Sequence, residues 1–268
     1  MIAAGRGDRL RHVTQTLKPL VRVGGQTLVE RVLLSLAEAR PVEVVIIVNE
    51  TSVAVKDHVT ARKWPFEVRW IVETTPSSMH SFLRVVETLA EDGDRGPFLI
   101  STVDTIAAPG AFGAFAAASR QPDADVTLAV TPPTDDDKPL LVRLGPDGAS
   151  VEAIGDTVRL MPNAADDHAV RPRPDPTSQP RSVADRDGLQ AVRRTGIWAT
   201  AGYYAVRSSV LREADEARRA GVGALRLFFE RLLVRGYRLY AVPVAGGIDV
   251  DCPSDVRAAE TFLKQVGA

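Results

Sequence analysis

The stretch Met1-Ile2-Ala3-Ala4-Gly5-Arg6-Gly7-Asp8-Arg9, followed by Lys18-Pro19, decides how the rest of the chain is read. Met1 to Ala4 read as the end of a buried strand. Gly5 and Gly7 break that pattern, because glycine tolerates positive φ and lets the backbone approach a ligand closely. A turn of small residues after a strand can aim successive N–H groups at one point, which makes a concavity for anions. Arg9 and Lys18 then supply two permanent cations that fall on the same ligand if the intervening loop folds back. Small backbone plus two cations suits a polyphosphate. The spacing matches neither the P-loop, which closes on Gly-Lys-Ser/Thr, nor the dinucleotide fingerprint Gly-x-Gly-x-x-Gly.

Composition narrows the class. At 268 residues the chain is long enough to bury a substantial core, and 45% apolar with 25% charged residues is ordinary for a globular protein. A formal net charge of −1 argues against nucleic acid or an anionic membrane as the main partner. No run approaches the roughly 18 apolar residues needed to cross a bilayer. The single Cys252 excludes an internal disulfide framework and suits a reducing compartment, so a cytoplasmic location is expected. With no internal repeat and no linker, residues 1–268 are expected to form one domain; a homo-oligomer is compatible with the sequence but not specified by it.

The pattern along the chain alternates. Leu20 to Val23 is a short extended piece ended by Gly24-Gly25, and Thr27 can cap a helix with Leu28, Val32, Leu33 and Leu36 at helical spacing. Val42 to Val48 is a β-branched run that reads as a doubly buried strand. A helix over 52–63, a strand through Val68, Trp70 and Val72, a helix opened by Ser77 or Ser78, and a strand from Phe98 to Val103 follow. This rhythm implies parallel βαβ units, whose ligands gather beyond the carboxyl ends of the strands. Gly5, Thr74 and Asp104 all stand at such ends. The second half carries short strands at 126–130, 140–144 and 151–154, then a strand at 196–206, helices at 208–220 and 223–235, a strand at 237–244 and a closing helix at 254–266. Between them, 156–195 is rich in Pro, Asp and Arg without a clear period, and reads as a long loop or flap.

Ala3-Ala4-Gly5-Arg6-Gly7-Asp8-Arg9 with Lys18-Pro19 resembles the opening of the nucleotidylyltransferases with a GT-A-like fold, the NDP-sugar pyrophosphorylase group. The resemblance implies an α/β, three-layer Rossmann-like fold with a mixed, mainly parallel sheet. It also implies Arg9 and Lys18 as catalytic cations, with Ala3, Ala4, Gly5, Gly7, Ser77 and Ser78 around the nucleotide. Asp104, ending a buried strand, stands where this family has an acidic residue holding Mg²⁺; an acidic group there is costly unless paired or metal-bound. Gly247-Ile248-Asp249-Val250-Asp251-Cys252-Pro253-Ser254-Asp255 is similar to the family's second metal motif. That match makes Asp249 the second ligand and leaves Asp251 and Asp255 to cap the helix. Thr200-Ala201-Gly202-Tyr203-Tyr204 is similar to the acceptor-side strand, with Gly202 against the acceptor.

Two departures from the sugar-nucleotide enzymes are visible. The Glu-Lys-Pro lysine has no counterpart in Val151-Glu152-Ala153-Ile154-Gly155-Asp156, and a Gly-Thr-Ala turn is replaced by Thr75-Pro76-Ser77-Ser78-Met79-His80-Ser81. Both replacements are more like the branch that transfers cytidylyl groups to phosphocholine or inositol phosphate. Arg193 or Arg194, on a flap closing over the acceptor, is then the expected substitute for the absent lysine; an inert surface insertion is the other reading of 156–195. Only Met1 and Ile2 precede Ala-Ala-Gly where the family has more apolar residues, so an upstream start or a less stable chain is expected. The resemblance implies an NTP and a phosphorylated acceptor (a sugar 1-phosphate or a polyol or amino-alcohol phosphate) as substrates, pyrophosphate as product and Mg²⁺ as cofactor. A nucleotide-binding regulatory domain of the same fold and a metal-dependent GT-A glycosyltransferase are the alternatives.

Overall fold

The computed structural model describes residues 1–5, 7, 10, 14–121, 123–133, 139–160, 192 and 195–267. The first regular pieces are a 3₁₀ turn at Lys18–Leu20 and a small ladder of β1 (Arg22–Val23) and β2 (Gln26–Thr27). Helix α1 (Leu28–Glu38) starts where the sequence predicts. Thr27 accepts from the Glu30 N–H, and Glu30 reaches back to the Thr27 N–H, a reciprocal cap. Then come β3 (Glu43–Val48), α2 (Val53–Thr60), β4 (Glu67–Val72), α3 (Ser78–Ala90), β5 (Phe98–Ser101), β6 (Thr105–Ala107) and α4 (Ala111–Ala118). The second half adds β7 (Val126–Thr131), β8 (Leu141–Leu144), β9 (Val151–Ile154), α5 (Asp156–Leu160) and β10 (Ile197–Val206). Helices α6 (Ala214–Arg219) and α7 (Leu225–Val234), strands β11 (Leu239–Pro243) and β12 (Gly247–Asp249), and helix α8 (Pro253–Val266) complete the chain.

The sheet runs β4, β3, the segment at Ile2, β5, β10, β7, β11. Ile2 bridges Ile47 and Thr102 in parallel sense, and β3 with β4 and β7 with β11 are also parallel. β10 runs against β5 and β7, and its outer end also pairs antiparallel with β8, which pairs antiparallel with β9; the sheet is therefore mixed, with a mainly parallel centre as expected. Met1 to Ala3 contribute a bridge and a few ladder bonds, Ala3 N–H to the Ile47 carbonyl at 2.9 Å among them, rather than a full strand.

Both faces of the sheet are covered, so the three-layer expectation holds. Successive side chains of a strand point to opposite faces. In β10, Tyr203 stacks on Phe112 of α4 at 4.2 Å between ring centroids, while Tyr204 meets Phe229 of α7 edge-on at 5.0 Å. Each tyrosine anchors a separate core, one under α1 and α4, the other under α3 and α7. A third cluster of Leu10, Val23, Leu28, Ile106, Val250 and Phe262 seats α8 against β1 and the start of α1.

Three expectations change. The segment 156–195 does not begin as loop, because Asp156–Leu160 is a short helix with the Thr157 hydroxyl bonded to the Ile154 carbonyl at 2.7 Å. The rest of the stretch expected as a flap or an insertion, residues 161–191 with Arg193 and Arg194, lies outside the described residues. The helix at 208–220 is a 3₁₀ segment (Ser208–Glu213) followed by α6. The pieces β6, α4 and β12 have no counterpart among the predicted elements. Runs of three residues are too short to show a period, and Ala111–Ala118 is apolar nearly all round.

Candidate active site

Beyond the carboxyl end of β5 the chain turns through Thr102, Val103 and Asp104 into β6. That strand pairs antiparallel with β12, placing Thr105 opposite Asp249, and the Val250 N–H donates to the Asp104 carbonyl at 3.0 Å. This short ladder joins the two acidic stretches across more than half the sequence. Asp251 sits just past the end of β12, at the entrance to α8. Pro253 takes the first turn, where its missing N–H costs nothing, and the Asp255 carboxylate accepts from the N–H groups of Asp251 (2.8 Å) and Cys252 (2.7 Å). Asp255 is thus the cap that the sequence reading expects.

Asp251 is not a cap. Its side chain turns the other way, to Lys18. The Lys18 ammonium donates to Asp104 Oδ2 at 2.6 Å and to Asp251 Oδ1 at 2.5 Å. Lys18 is 8% exposed. Burial alone would lower its pKa, but the charge and hydrogen bond of Asp104, then those of Asp251, outweigh it and raise the pKa. A buried lysine with two carboxylates stays charged.

Lys18 is placed by the glycine loop. Lys18 opens the 3₁₀ turn with Pro19 next in it, and the Val21 N–H closes it on the Lys18 carbonyl at 3.1 Å. Gly7, at φ +62°, lies against the lysine stem, and a Cβ there would come within 2.5 Å of Lys18 Cβ. The glycine before the loop and the lysine after it therefore pack on one another. At Gly5 a Cβ would meet nothing within 4 Å, so open space flanks that residue. Ala3 and Ala4 lead into the same loop; Arg9 lies outside the described residues.

Asp249 borders the pair. Thr105 Oγ1 donates to its Oδ1 at 2.9 Å, and the Thr102 hydroxyl lies 3.0 Å from that of Thr105. Burial of the carboxylate, then the negative charge of Asp104, push the Asp249 pKa up to about 7, with the Thr105 hydrogen bond opposing. The residue as a whole is exposed, so the desolvation is local to the carboxylate, which is turned against Thr105 and Gly202. Asp104 and Asp249, the two metal ligands expected from the sequence, are thus brought to one place, with Asp251 beside them. One cation joins Asp104 to Asp251.

Gly202 covers this arrangement at a break in β10, where the register shifts between Thr200 and Tyr204. Its φ is +77°, and a Cβ would fall 2.0 Å from Thr105 Oγ1 and 3.1 Å from Asp249 Oδ1. The glycine is thus required by packing over the acidic cluster. Ser77 and Ser78 stand at the start of α3, beyond the carboxyl end of β4. Ser77 Oγ is 2.8 Å from His80 Nδ1, while Ser78 Oγ accepts from the Leu225 N–H at 3.1 Å and ties α3 to α7. Cys252 forms the cap position of α8, its sulfur 2.8 Å from Ser254 Oγ. A cavity of about 470 Å³ exists at the opposite end of the sheet, between the starts of β3 and β5, well away from these carboxylates.

Among the described residues no three His, Cys, Asp or Glu side chains form a metal cluster. Two carboxylates that grip a single ammonium nonetheless form a donor set suited to Mg²⁺. That ion is commonly held by one or two carboxylates with substrate phosphates and waters completing the octahedron. No helix among the described residues is long and apolar enough to cross a membrane.

The model of the MobA-like NTP transferase domain matches residues 1–195. A search of curated protein sequences finds no match. Among solved structures, the chain is similar to the inositol-1-phosphate CTP transferase from T. maritima, at 17% identity and TM-score 0.67, covering 98% of this chain and 94% of that one. It is also similar to a putative glucose-1-phosphate thymidylyltransferase from Bacillus anthracis (15% identity, TM-score 0.69, 97% and 92% covered). The CTP:phosphocholine cytidylyltransferase from Streptococcus pneumoniae gives 17% identity, TM-score 0.62, and coverage of 98% and 96%. At these identities the structural likeness establishes the fold alone.

Proposed function

The chain belongs to the MobA-like NTP transferase domain family, and from that premise we propose that it joins a nucleoside triphosphate to a phosphorylated acceptor, transferring the nucleotidyl group and releasing pyrophosphate. The observation that carries the reading is the Lys18 ammonium held between Asp104 and Asp251 beside Gly7, beyond the carboxyl ends of the strands.

The acceptor phosphate has its second pKa near 6, so at pH 7 it is already largely an anionic nucleophile and needs no general base. The obstacle is bringing one anion against another. Loop N–H groups at Gly5 and Gly7 cradle the triphosphate, and the flexible four-carbon stem lets Lys18 swing from the carboxylates to a phosphate oxygen. Mg²⁺, held by Asp104 and Asp251, would supply further neutralisation of phosphate charge. Asp249 supports that pair through Thr105 and its own negative charge. Arg9 serves as a second cation on the triphosphate. Gly202 belongs to the floor of the site, and the acceptor lies on its open side. Arg193 and Arg194 are proposed as acceptor-phosphate ligands in place of the missing lysine.

The likeness to the T. maritima and S. pneumoniae enzymes, together with the absent lysine at 151–156, favours a polyol or amino-alcohol phosphate over a sugar 1-phosphate. Incubating the protein and Mg²⁺ with each of the four nucleoside triphosphates against a panel of both acceptor classes, read by pyrophosphate release, tests this. Pyrophosphate released only with sugar 1-phosphates would reverse the acceptor assignment. Release with no pair would remove the reaction.

A further inference from the structure

We propose that Asn49 is a positioning residue for the triphosphate cradle, setting the peptide between Ala4 and Gly5; this rests on the nucleotide reading above. Asn49 follows the last residue of β3 and is 6% exposed. It stands at the cap position of a 3₁₀ turn (Glu50–Ser52), yet its side chain makes no capping bond there. Instead its carboxamide reaches across to the glycine loop, with Nδ2 donating to the Ala4 carbonyl at 3.1 Å. Thr51 Oγ1 donates to Asn49 Oδ1 at 2.8 Å. The two contacts fix the amide orientation, because a backbone carbonyl can only accept.

A buried asparagine committed to one distant carbonyl has a consequence for the next residue. The peptide is planar and trans, so the Gly5 N–H points opposite to the Ala4 C=O. Anchoring the carbonyl to the end of β3 therefore aims the Gly5 N–H away from β3. The space beside Gly5 is open to 4 Å, unlike that at Gly7, where Lys18 closes it. On the strand side, Ala3 is already held by its ladder bond to Ile47. The last peptide bonded by the ladder joins Ile2 to Ala3, and beyond the next peptide Asn49 holds the Ala4 carbonyl. A preset N–H donates to an incoming phosphate oxygen without first paying for its own ordering.

The test uses the whole chain. Asn49→Ala removes the clamp, Asn49→Asp keeps the shape and the Thr51 contact but turns the donor into an acceptor, and Thr51→Val only frees the carboxamide. Calorimetric titration with each nucleoside triphosphate in Mg²⁺ gives Kd directly, and steady-state assays give the two KM values. The expected result is a Kd for triphosphate weakened about tenfold in the two Asn49 variants and about threefold in Thr51→Val, with the acceptor KM within about twofold of wild type. Unchanged triphosphate Kd in the folded variants overturns the proposal and leaves the function intact. A proportional rise in both KM values, the mark of general loosening, also overturns it. If the wild type binds none of the four triphosphates, the functional reading falls, and this inference with it. Should both Asn49 variants fail to fold, Thr51→Val alone decides between the first two outcomes.

Discussion

Gly202→Ala should damage the fold as much as the reaction. At φ +77° an alanine sits in the left-handed region, which costs about 1–2 kcal/mol relative to glycine. The added Cβ would stand 2.0 Å from Thr105 Oγ1, and Thr105 is 2% exposed, so its hydroxyl has little room to retreat. Overpacking of this kind costs about 1–3 kcal/mol. If Thr105 rotates away, its hydrogen bond to Asp249 is lost, for about 1 kcal/mol more. Roughly 4 kcal/mol in all corresponds to a fall in Tm of about 10 °C for a chain of this size.

Thermal unfolding in metal-free buffer reads this directly, and a double-mutant cycle locates it. Thr105→Ala removes the closest atom, so in that background Gly202→Ala should cost about 2 kcal/mol less. Had Gly202 only faced the acceptor, the substitution would raise the acceptor KM and leave Tm alone. A Tm within about 3 °C of wild type, or strict additivity of the two substitutions, would refute the packing argument.

Other outcomes follow from the same geometry. Lys18→Ala should lower turnover at least about 100-fold, the loss of roughly 3 kcal/mol of charge stabilisation; a correctly folded variant that keeps its activity removes the role given to Lys18. Asp104→Asn and Asp251→Asn should each raise the Mg²⁺ needed for half-maximal activity about tenfold, and Asp249→Asn less, since an amide offers oxygen without charge; a larger effect at Asp249 in the Mg²⁺ titration would restore the register read from the sequence. Asp249→Asn should also raise the Tm of the metal-free protein by about 1–3 °C at pH 8 but not at pH 4. With its folded pKa at about 7, above the unfolded value of about 3.9, the folded state holds the extra proton in between, so stability falls as pH rises through that window and the charge is a liability above it. Equal Tm differences at both pH values would show that the carboxylate is not strained. Asp255→Ala should cost about 1–2 kcal/mol by uncapping α8, read as a Tm drop of several degrees.

The layers of the fold are legible in the sequence because they rest on periodicity. Val44 to Val48 are buried without a break, and Phe82, Val85 and Val86 lie on the inner face of α3 as helical spacing requires. The reciprocal cap at Thr27 and Glu30 is half visible, as Thr27 before an apolar period. What stays hidden is the pairing of β6 with β12. A three-residue strand has no period, and Thr105 stands 144 positions from its partner Asp249, so nothing local encodes the contact. That ladder is also what assembles the site. The placement of the acidic residues is therefore the part least open to local reading.

Asp249 and Asp251 show where the residual information lies. A strand alternates its side chains, so Asp249 and Asp251 are equivalent by period, and a motif match cannot separate them. Helix capping can. Pro253 favours the first helical position and Asp255 the third, which makes Cys252 the cap and Asp251 the residue just outside the helix. A residue there has its N–H taken by Asp255, while its side chain is committed to no helical group. Asp249, by contrast, ends inside a ladder where a neighbour, Thr105, stands ready to satisfy it. Of the two carboxylates, the one outside the helix is free to share a cation with Asp104, and Lys18 occupies that position. Reading Asp251 and Asp255 together as caps obscures this, because the Asp255 carboxylate alone satisfies both N–H groups at the start of α8 and leaves the Asp251 side chain to the site.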